Sequence, residues 1–265
     1  MGTQVPSRRI QMIDSAVDAC RSIFVTHRTN DLAPRTKLFG RDGRHRQLVV
    51  AAIQREAVDV VGVVLVDPDG GPLPAWLPGA HLEVSLPSGR QRQYSLCGDP
   101  TDLSAYRIAV RLMPHGCGGS IEIHEHLRSG DPVRIHGPRH TFPFVDAPDY
   151  LFIAGGIGIT PLLPMAAAAG TRGRLIYTGS SRETMPFANQ LTEAEIRPDD
   201  EFGFPDMTEL LASAAPGAAV YVCGPPAMQQ AALRAMPRIN PSGTLHLERY
   251  RAHPGGSTPS ADFAT

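Results

Sequence analysis

The chain has 265 residues, 42% of them hydrophobic and 19% charged, with 25 basic against 26 acidic side chains and a formal net charge of −1. At roughly 150 residues per domain there is room for two modest domains with real cores. The charge is too low for a disordered chain, and its balance leaves no basic field to draw nucleic acid or a membrane surface.

The four cysteines, Cys20, Cys97, Cys117 and Cys223, lie at least 20 positions apart. That spacing offers neither a paired-cysteine zinc site nor an iron–sulfur cradle, so no metal is expected. No uncharged apolar stretch approaches 18 residues, so no transmembrane span is expected, and a cytoplasmic protein is.

Taken in order, Ile10, Ile13, Val17, Cys20 and Phe24 recur at helical spacing and predict one amphipathic helix within an N-terminal segment, 1–45. Its polar face mixes acids with arginines, which favours packing on its own domain over a membrane surface. Residues 46–146 change to short β-type runs at 48–53, 58–66, 81–86, 92–96, 106–112 and 132–136, bounded by Pro, Gly, Asp and Ser. Six close-set strands predict an antiparallel barrel, interrupted by one short helix at 120–127. Over 147–251 the rhythm alternates: strands at 150–154, 174–177, 218–223 and 244–250, helices at 161–169, 207–214 and 227–236. This predicts a doubly wound parallel sheet. Residues 252–265 have a linker composition. The fold class expected is therefore β plus α/β, an antiparallel barrel followed by a parallel-sheet domain.

Two turns stand at the ends of strands in the second half, where doubly wound sheets bind ligands. The run Gly155-Gly156-Ile157-Gly158-Ile159-Thr160-Pro161 opens a helix whose N-terminus favours an anion. It departs from G-x-G-x-x-G, and alone it fits a structural turn equally well. The pairing with Cys223-Gly224-Pro225-Pro226 shifts the balance to nucleotide binding. In the barrel half, Arg92-Gln93-Tyr94-Ser95 sets a guanidinium, an aromatic ring and a hydroxyl on one strand. They suit a phosphate, a flat ring and a ring nitrogen, although such a strand is also ordinary. Gly116-Cys117-Gly118-Gly119-Ser120 is either a second phosphate cradle or a hairpin tip.

The order and spacing of Arg92-x-Tyr94-Ser95, Gly118-Gly119-Ser120, the Gly155–Pro161 run and Tyr221-Val222-Cys223-Gly224-Pro225 resemble the ferredoxin–NADP reductase superfamily. Within it they are most similar to the phthalate dioxygenase reductase branch, which includes vanillate demethylase reductases. Ile108-Ala109-Val110 and His246-Leu247-Glu248-Arg249-Tyr250 look like further branch features, and the likeness covers about residues 48–250. The resemblance implies a flavin-binding barrel and an NAD-binding domain that pass a hydride from NADH to FMN and then single electrons to an acceptor protein, a ferredoxin or an oxygenase.

Carried onto these positions, Arg92 would hold the FMN phosphate with Gly118, Gly119 and Ser120. Tyr94 would lie against the isoalloxazine, Ser95 would donate toward flavin N5, and Ile108, Ala109 and Val110 would line the flavin. Gly156, Ile157, Gly158, Thr160 and Pro161 would cradle the nucleotide pyrophosphate. Cys223, with Gly224 and Pro225, would sit beside the nicotinamide, and Glu248 and Tyr250 would approach from the last strand. Ser95, Cys223 and Glu248 are the catalytic candidates.

Three departures stand out. Cys117 replaces the arginine usual before the two glycines. Ser181-Arg182 falls where NADH and NADPH are told apart, so NADH is favoured only slightly and NADPH stays possible. No cysteine follows Cys223, so the C-terminal [2Fe–2S] domain of the branch is not expected within these residues. Two rival readings remain at this level: a reductase of free flavin or artificial acceptors, and a non-catalytic nucleotide-sensing subunit.

Overall fold

Period-two alternation, with Leu48, Val50, Val63, Leu65, Leu82 and Val84 turned inward, builds a six-stranded antiparallel sheet from the first half of the chain. Its strands are β1 (His45–Ala57), β2 (Val60–Val66), β3 (Ala80–Ser85), β4 (Gln91–Ser95), β5 (Ala105–Arg111) and β6 (Pro132–His140), in the order β4-β3-β6-β1-β2-β5. The computed structural model describes residues 45–248. The predicted N-terminal helix, Tyr250 and the linker-like tail lie outside the described residues.

The two edge strands meet where Leu96 bridges Ile108 and the Cys97 N–H donates to Arg107 O at 2.9 Å. The sheet is thereby rolled into the expected barrel, which relieves exposed edges of unpaired backbone. Helix α1 (Gly119–His126) follows β5. β1 is much longer than its apolar run predicts. Its start pairs with β6 from His45 to Val49 and the rest with β2 from Val49 to Ala57, so cross-strand hydrogen bonds extend it through polar residues.

The second half is a five-stranded parallel sheet. Its strands are β7 (Tyr150–Gly155), β8 (Gly173–Gly179), β9 (Glu195–Pro198), β10 (Ala219–Cys223) and β11 (Thr244–Glu248), in the order β11-β10-β7-β8-β9. Every residue of β7 and β10 is buried, as central strands covered on both faces require. Tyr150, Phe152, Ala154, Tyr177 and Tyr221 pack against α2 (Ile159–Ala169) on one face. Leu151, Ile153, Val220 and Val222 pack against α4 (Met207–Ala212) and α5 (Pro226–Ile239) on the other. The order reverses between β7 and β10, which places a ligand crevice at their carboxyl ends.

The sequence missed β9 and the one-turn helix α3 (Asp199–Phe202) that follows it. Four residues carrying one aliphatic side chain give no period; pairing with β8 makes β9 a strand. The two halves share a core in which Val60, Cys97, Ala109 and Phe142 from the barrel side meet Ile159, Leu162, Met165 and Phe187. Two tyrosines fix the connecting segment. Tyr221 Oη accepts from Val145 N at 2.8 Å and donates to Pro143 O at 3.0 Å, and Tyr150 Oη accepts from Ala147 N and donates to Val145 O.

On β3, His81 is 1% exposed, and burial, then the Arg139 charge and His140, push its imidazole down to about 4. The unfolded chain therefore binds a proton near 6.5 that the folded chain refuses until about 4. The stability tied to neutral His81 is complete above 6.5 and lost as the pH falls toward 4, by up to about 3 kcal/mol. Denaturant titrations from pH 7 to 4.5 should show a steeper loss in the parent than in His81→Asn. Parallel losses would exclude His81 as the cause.

Candidate active site

The barrel contributes one cluster. On β4, Tyr94 stands opposite Leu82 and Arg92 opposite Val84, while Ser95 stands opposite His81. Tyr94 therefore packs on the barrel core, and Ser95 is buried on the other face. The Arg92 guanidinium donates to Gln91 O at 2.7 Å and to Cys117 O at 3.0 Å, and Arg90 Nε donates to the same Cys117 carbonyl at 3.0 Å. Two arginines thus anchor the loop before α1.

Glycine is required there. Gly118 has φ +79, and a Cβ on Gly119 would sit 2.8 Å from Arg92 Nε. Glycine lets the backbone N–H groups at the start of α1 stand directly beside a guanidinium with unused donors. That donor set fits a phosphate. Ser120 Oγ accepts from Met113 N at 3.0 Å, which leaves its own proton free to donate. Ile108, Ala109 and Val110 are buried in the β2–β5 ladder, and His124 Nε2 lies 2.8 Å from Val110 O.

The nucleotide half contributes the crevice. Gly155 ends β7, Gly156 (φ +55) to Gly158 form a 3-10 turn, and α2 begins at Ile159, two residues earlier than predicted. Thr160 and Pro161 consequently lie within its first turn. Proline is tolerated there because that N–H has no helical partner, and Thr160 Oγ1 donates to Ile157 O at 3.0 Å. A cavity of about 500 Å³ opens over the carboxyl ends of β7 and β8, with Gly155, Gly156, Thr178, Ser180, Pro225 and Met228 in its wall. Arg111, at the end of β5, reaches this cavity from the barrel. Its Nε bonds Asp59 Oδ2 at 2.6 Å, and its Nη1 lies 3.5 Å from where a Gly156 side chain would begin.

At the end of β10, the Cys223 thiol donates to Glu248 Oε2 at 3.7 Å. Glu248 is 1% exposed, and burial pushes its carboxyl up to about 8, against the lowering effect of the Cys223 hydrogen bond. Glu248 is therefore mostly protonated at neutral pH. Gln229 from α5 ties this corner together, donating to Gly224 O at 2.8 Å and to Glu248 O at 2.7 Å.

The structure thus brings Gly155–Gly158, Cys223–Pro225 and Glu248 to one edge of the parallel sheet, and Arg92, Gly118 and Gly119 to one corner of the barrel. It does not put Arg182 in the cavity wall, which Ser180 and Thr184 form instead. The Arg182 side chain pairs with Glu201 at 2.7 Å, while Ser181 caps the 3-10 turn at 182–184. Arg111, Gln229 and Asp199 were missed. A basic residue on a strand, a glutamine on a helix and an acid after a four-residue strand carry no local signal until the fold brings them to the crevice. Among the described residues no cluster of metal-ligating side chains occurs, and no helix is long and apolar enough to cross a membrane.

A closed antiparallel barrel joined to a parallel sheet with a crevice at its switch point is the ferredoxin-reductase-like fold, and the relatives that share it make the chain an NAD(P)H-dependent flavin oxidoreductase. Phthalate dioxygenase reductase of Burkholderia cepacia is 38% identical over 219 residues, covering 78% of this chain and 68% of that one. Vanillate O-demethylase oxidoreductase of Pseudomonas sp. strain HR199 is 36% identical over 230 residues, covering 82% and 73%. A solved structure of phthalate dioxygenase reductase, titled as passing electrons from pyridine nucleotides to [2Fe–2S], superimposes with a TM-score of 0.72 at 36% identity, covering 77% of this chain and 67% of that one. No family model matches. The chain belongs to the phthalate dioxygenase reductase family.

Proposed function

We propose that this chain carries electrons from NADH through FMN to a separate protein acceptor, a ferredoxin or an oxygenase component, in the cytoplasm. Residues 46–146 act as the flavin unit and 147–251 as the nucleotide unit, flanked by 1–45 and 252–265. One observation carries the reading: strand β5 turns Ile108 and Val110 into the barrel core, sets Ala109 into the core shared with the nucleotide half and, at its end, places Arg111 in the nucleotide cavity beside Gly156. A group lining that strand on one side and a nucleotide in that cavity on the other meet across a single element.

Bound FMN would supply the capacity to take up a hydride and pass on single electrons. The protein's contribution is placement and exclusion of water. Arg92, the amides of Gly118 and Gly119 and the Ser120 hydroxyl would hold the flavin phosphate. Tyr94, Ile108, Ala109 and Val110 would wall the ring, and Ser95 would donate a hydrogen bond toward N5. Gly156, Ile157 and Gly158 with the first turn of α2 and Arg111 would take the pyrophosphate. Gly224 and Pro225 shape the turn that holds Cys223. Cys223 and the protonated Glu248 form an uncharged, buried corner for the nicotinamide.

Purified protein should be yellow, with FMN bound one to one, and anaerobic NADH should bleach it with ferricyanide reduced in turn. Protein that takes up no FMN, or bound FMN that NADH does not bleach, refutes the reading. Ser95→Ala should keep FMN but slow its reduction roughly 10- to 100-fold in single turnovers, as expected for one lost hydrogen bond of about 1.4–2.8 kcal/mol. An unchanged rate removes Ser95 from the reaction.

A further inference from the structure

Strand β5 presents two different faces. Tyr106, Ile108 and Val110 belong to the barrel core, so Arg107, Ala109 and Arg111 share the opposite face, and each of them meets the nucleotide half. The Arg107 guanidinium lies over the Phe187 ring, 4.9 Å from its centroid, Ala109 sits in the core shared by the two halves, and Arg111 enters the cavity. Both arginines are held by acids of the β1–β2 hairpin. Arg107 Nη2 donates to Glu56 Oε1 and Arg111 Nε to Asp59 Oδ2, each at 2.6 Å. The hairpin is itself tied to both halves. Asp59 O accepts from Leu112 N at 2.7 Å, and the adjacent Val58 N donates to Glu183 O at 2.9 Å. Arg55 Nη2 braces the same turn by donating to Val58 O at 3.0 Å.

The two pairs have different consequences. Phe187 covers the Arg107 guanidinium, so the pair with Glu56 fastens the halves together. Arg111 is gripped through Nε, while its Nη1 lies 3.5 Å from where a Gly156 side chain would begin. The second Asp59 oxygen, Oδ1, is buried with no hydrogen-bond partner among the described residues, so this carboxylate serves one guanidinium. We propose that Asp59 is a positioning residue of the reductase, holding Arg111 by Nε so that its remaining donors face the nucleotide pyrophosphate beside Gly156. This rests on the nucleotide reading of the cavity. A loose arginine would have to be ordered each time a nucleotide bound, and that ordering costs affinity. The carboxylate's own charge acts in the opposite direction, because it repels a pyrophosphate. The Arg111 and Asp59 side chains are 38% and 24% exposed, so water and salt weaken the repulsion but leave the ordering cost untouched. Positioning therefore outweighs repulsion.

Calorimetric titration of the FMN-loaded protein with ADP-ribose reads pyrophosphate binding without turnover. Arg111→Ala should weaken ADP-ribose about 10- to 100-fold, as for a lost charge-assisted hydrogen bond. Asp59→Ala should weaken it about 2- to 10-fold, the cost of ordering one long side chain on binding. Added to Arg111→Ala, the same Asp59→Ala change should cost nothing further. That non-additivity separates an effect passed through Arg111 from a general loosening of the hairpin, which would persist in both backgrounds. Asp59→Asn keeps an acceptor for Nε and should restore affinity to within about twofold of the parent, because orientation rather than charge is what it supplies. ADP-ribose bound as tightly or more tightly by Asp59→Ala, or an equal loss in both backgrounds, overturns the proposal. Should the alanine variant not fold, Asp59→Ser, with a side chain one carboxylate oxygen and one carbon shorter in reach, gives the same comparison. If the parent binds no ADP-ribose, or Arg111→Ala leaves its binding unchanged, the nucleotide reading of the cavity fails and the proposal falls with it. A loss in Arg111→Ala that Asp59→Ala does not share refutes the proposal alone.

Discussion

Gly158→Ala is expected to lower the melting temperature by roughly 6–12 °C and to abolish most NADH-dependent bleaching. Gly158 lies in the right-handed helical region, φ −62 and ψ −7, where alanine is intrinsically the better residue by about 0.5–1 kcal/mol. Position overrides that preference. A Cβ there would collide with Cys223 O, lie 2.5 Å from Cys223 C and 2.9 Å from Gly224 N. All three are backbone atoms at the end of a fully buried central strand, and none belongs to a side chain that can swing away. Either α2 or the end of β10 must move, at a cost of about 3 kcal/mol or more, which for a chain of this size corresponds to the stated shift. The same movement separates the helix N-terminus from Cys223, so chemistry suffers beyond stability. Gly156→Ala is the internal comparison. Its φ of +55 makes alanine strained by about 1–2 kcal/mol, but its nearest contact is the end of the Arg111 side chain at 3.5 Å. Thermal melts should therefore rank Gly158→Ala well below Gly156→Ala. The reverse order would mean that the two turns do not pack as described.

That comparison also shows what the sequence carried. Both glycine turns were recognisable as turns after strands, and the resemblance assigned them to a nucleotide. What no local pattern contained is that Gly158 is glycine to clear another strand's carbonyl, 65 residues along the chain. The strands and helices with full apolar periods were legible, including the switch from period two to alternating elements near residue 147. β9 was not, because one isoleucine among Glu195, Arg197 and Pro198 gives no period, and pairing with β8 supplies what the residues lack. With β9 hidden, Asp199 at its end could not be placed in the site, and attention fell on Arg182, which turns to Glu201. Arg111 was hidden for a related reason. It ends a strand whose preceding residues are core, and its meaning depends on a domain that begins some forty residues later. The site residues visible from sequence were those whose backbone chemistry is local; those that bridge elements were invisible.

Arg92→Ala should weaken FMN binding roughly 30- to 150-fold while leaving the barrel folded, the loss expected for about 2–3 kcal/mol of charge-assisted hydrogen bonding to a phosphate. Arg92 has two separable functions in the structure: it holds the Cys117 carbonyl and it presents its remaining donors beside the Gly119 amide. Arg90 shares the first, through its own bond to Cys117 O, and is further tied to Glu122 at 3.5 Å, a carboxylate that also accepts from Ser88 N and Ser88 Oγ. The loop therefore keeps an anchor when Arg92 is lost. Arg90→Ala removes a loop anchor and leaves Arg92 in place, so it should weaken FMN only a few-fold. Arg92→Lys restores charge without the planar fork and should fall between alanine and the parent. Fluorescence titration of the apoprotein with FMN, repeated with riboflavin, decides the matter. If Arg92 meets the phosphate, the alanine variant loses FMN affinity and keeps its riboflavin affinity. Equal losses for both ligands, or an Arg90→Ala effect as large as that of Arg92→Ala, would mean that the guanidiniums serve only to order the loop, and the phosphate would have to be sought elsewhere.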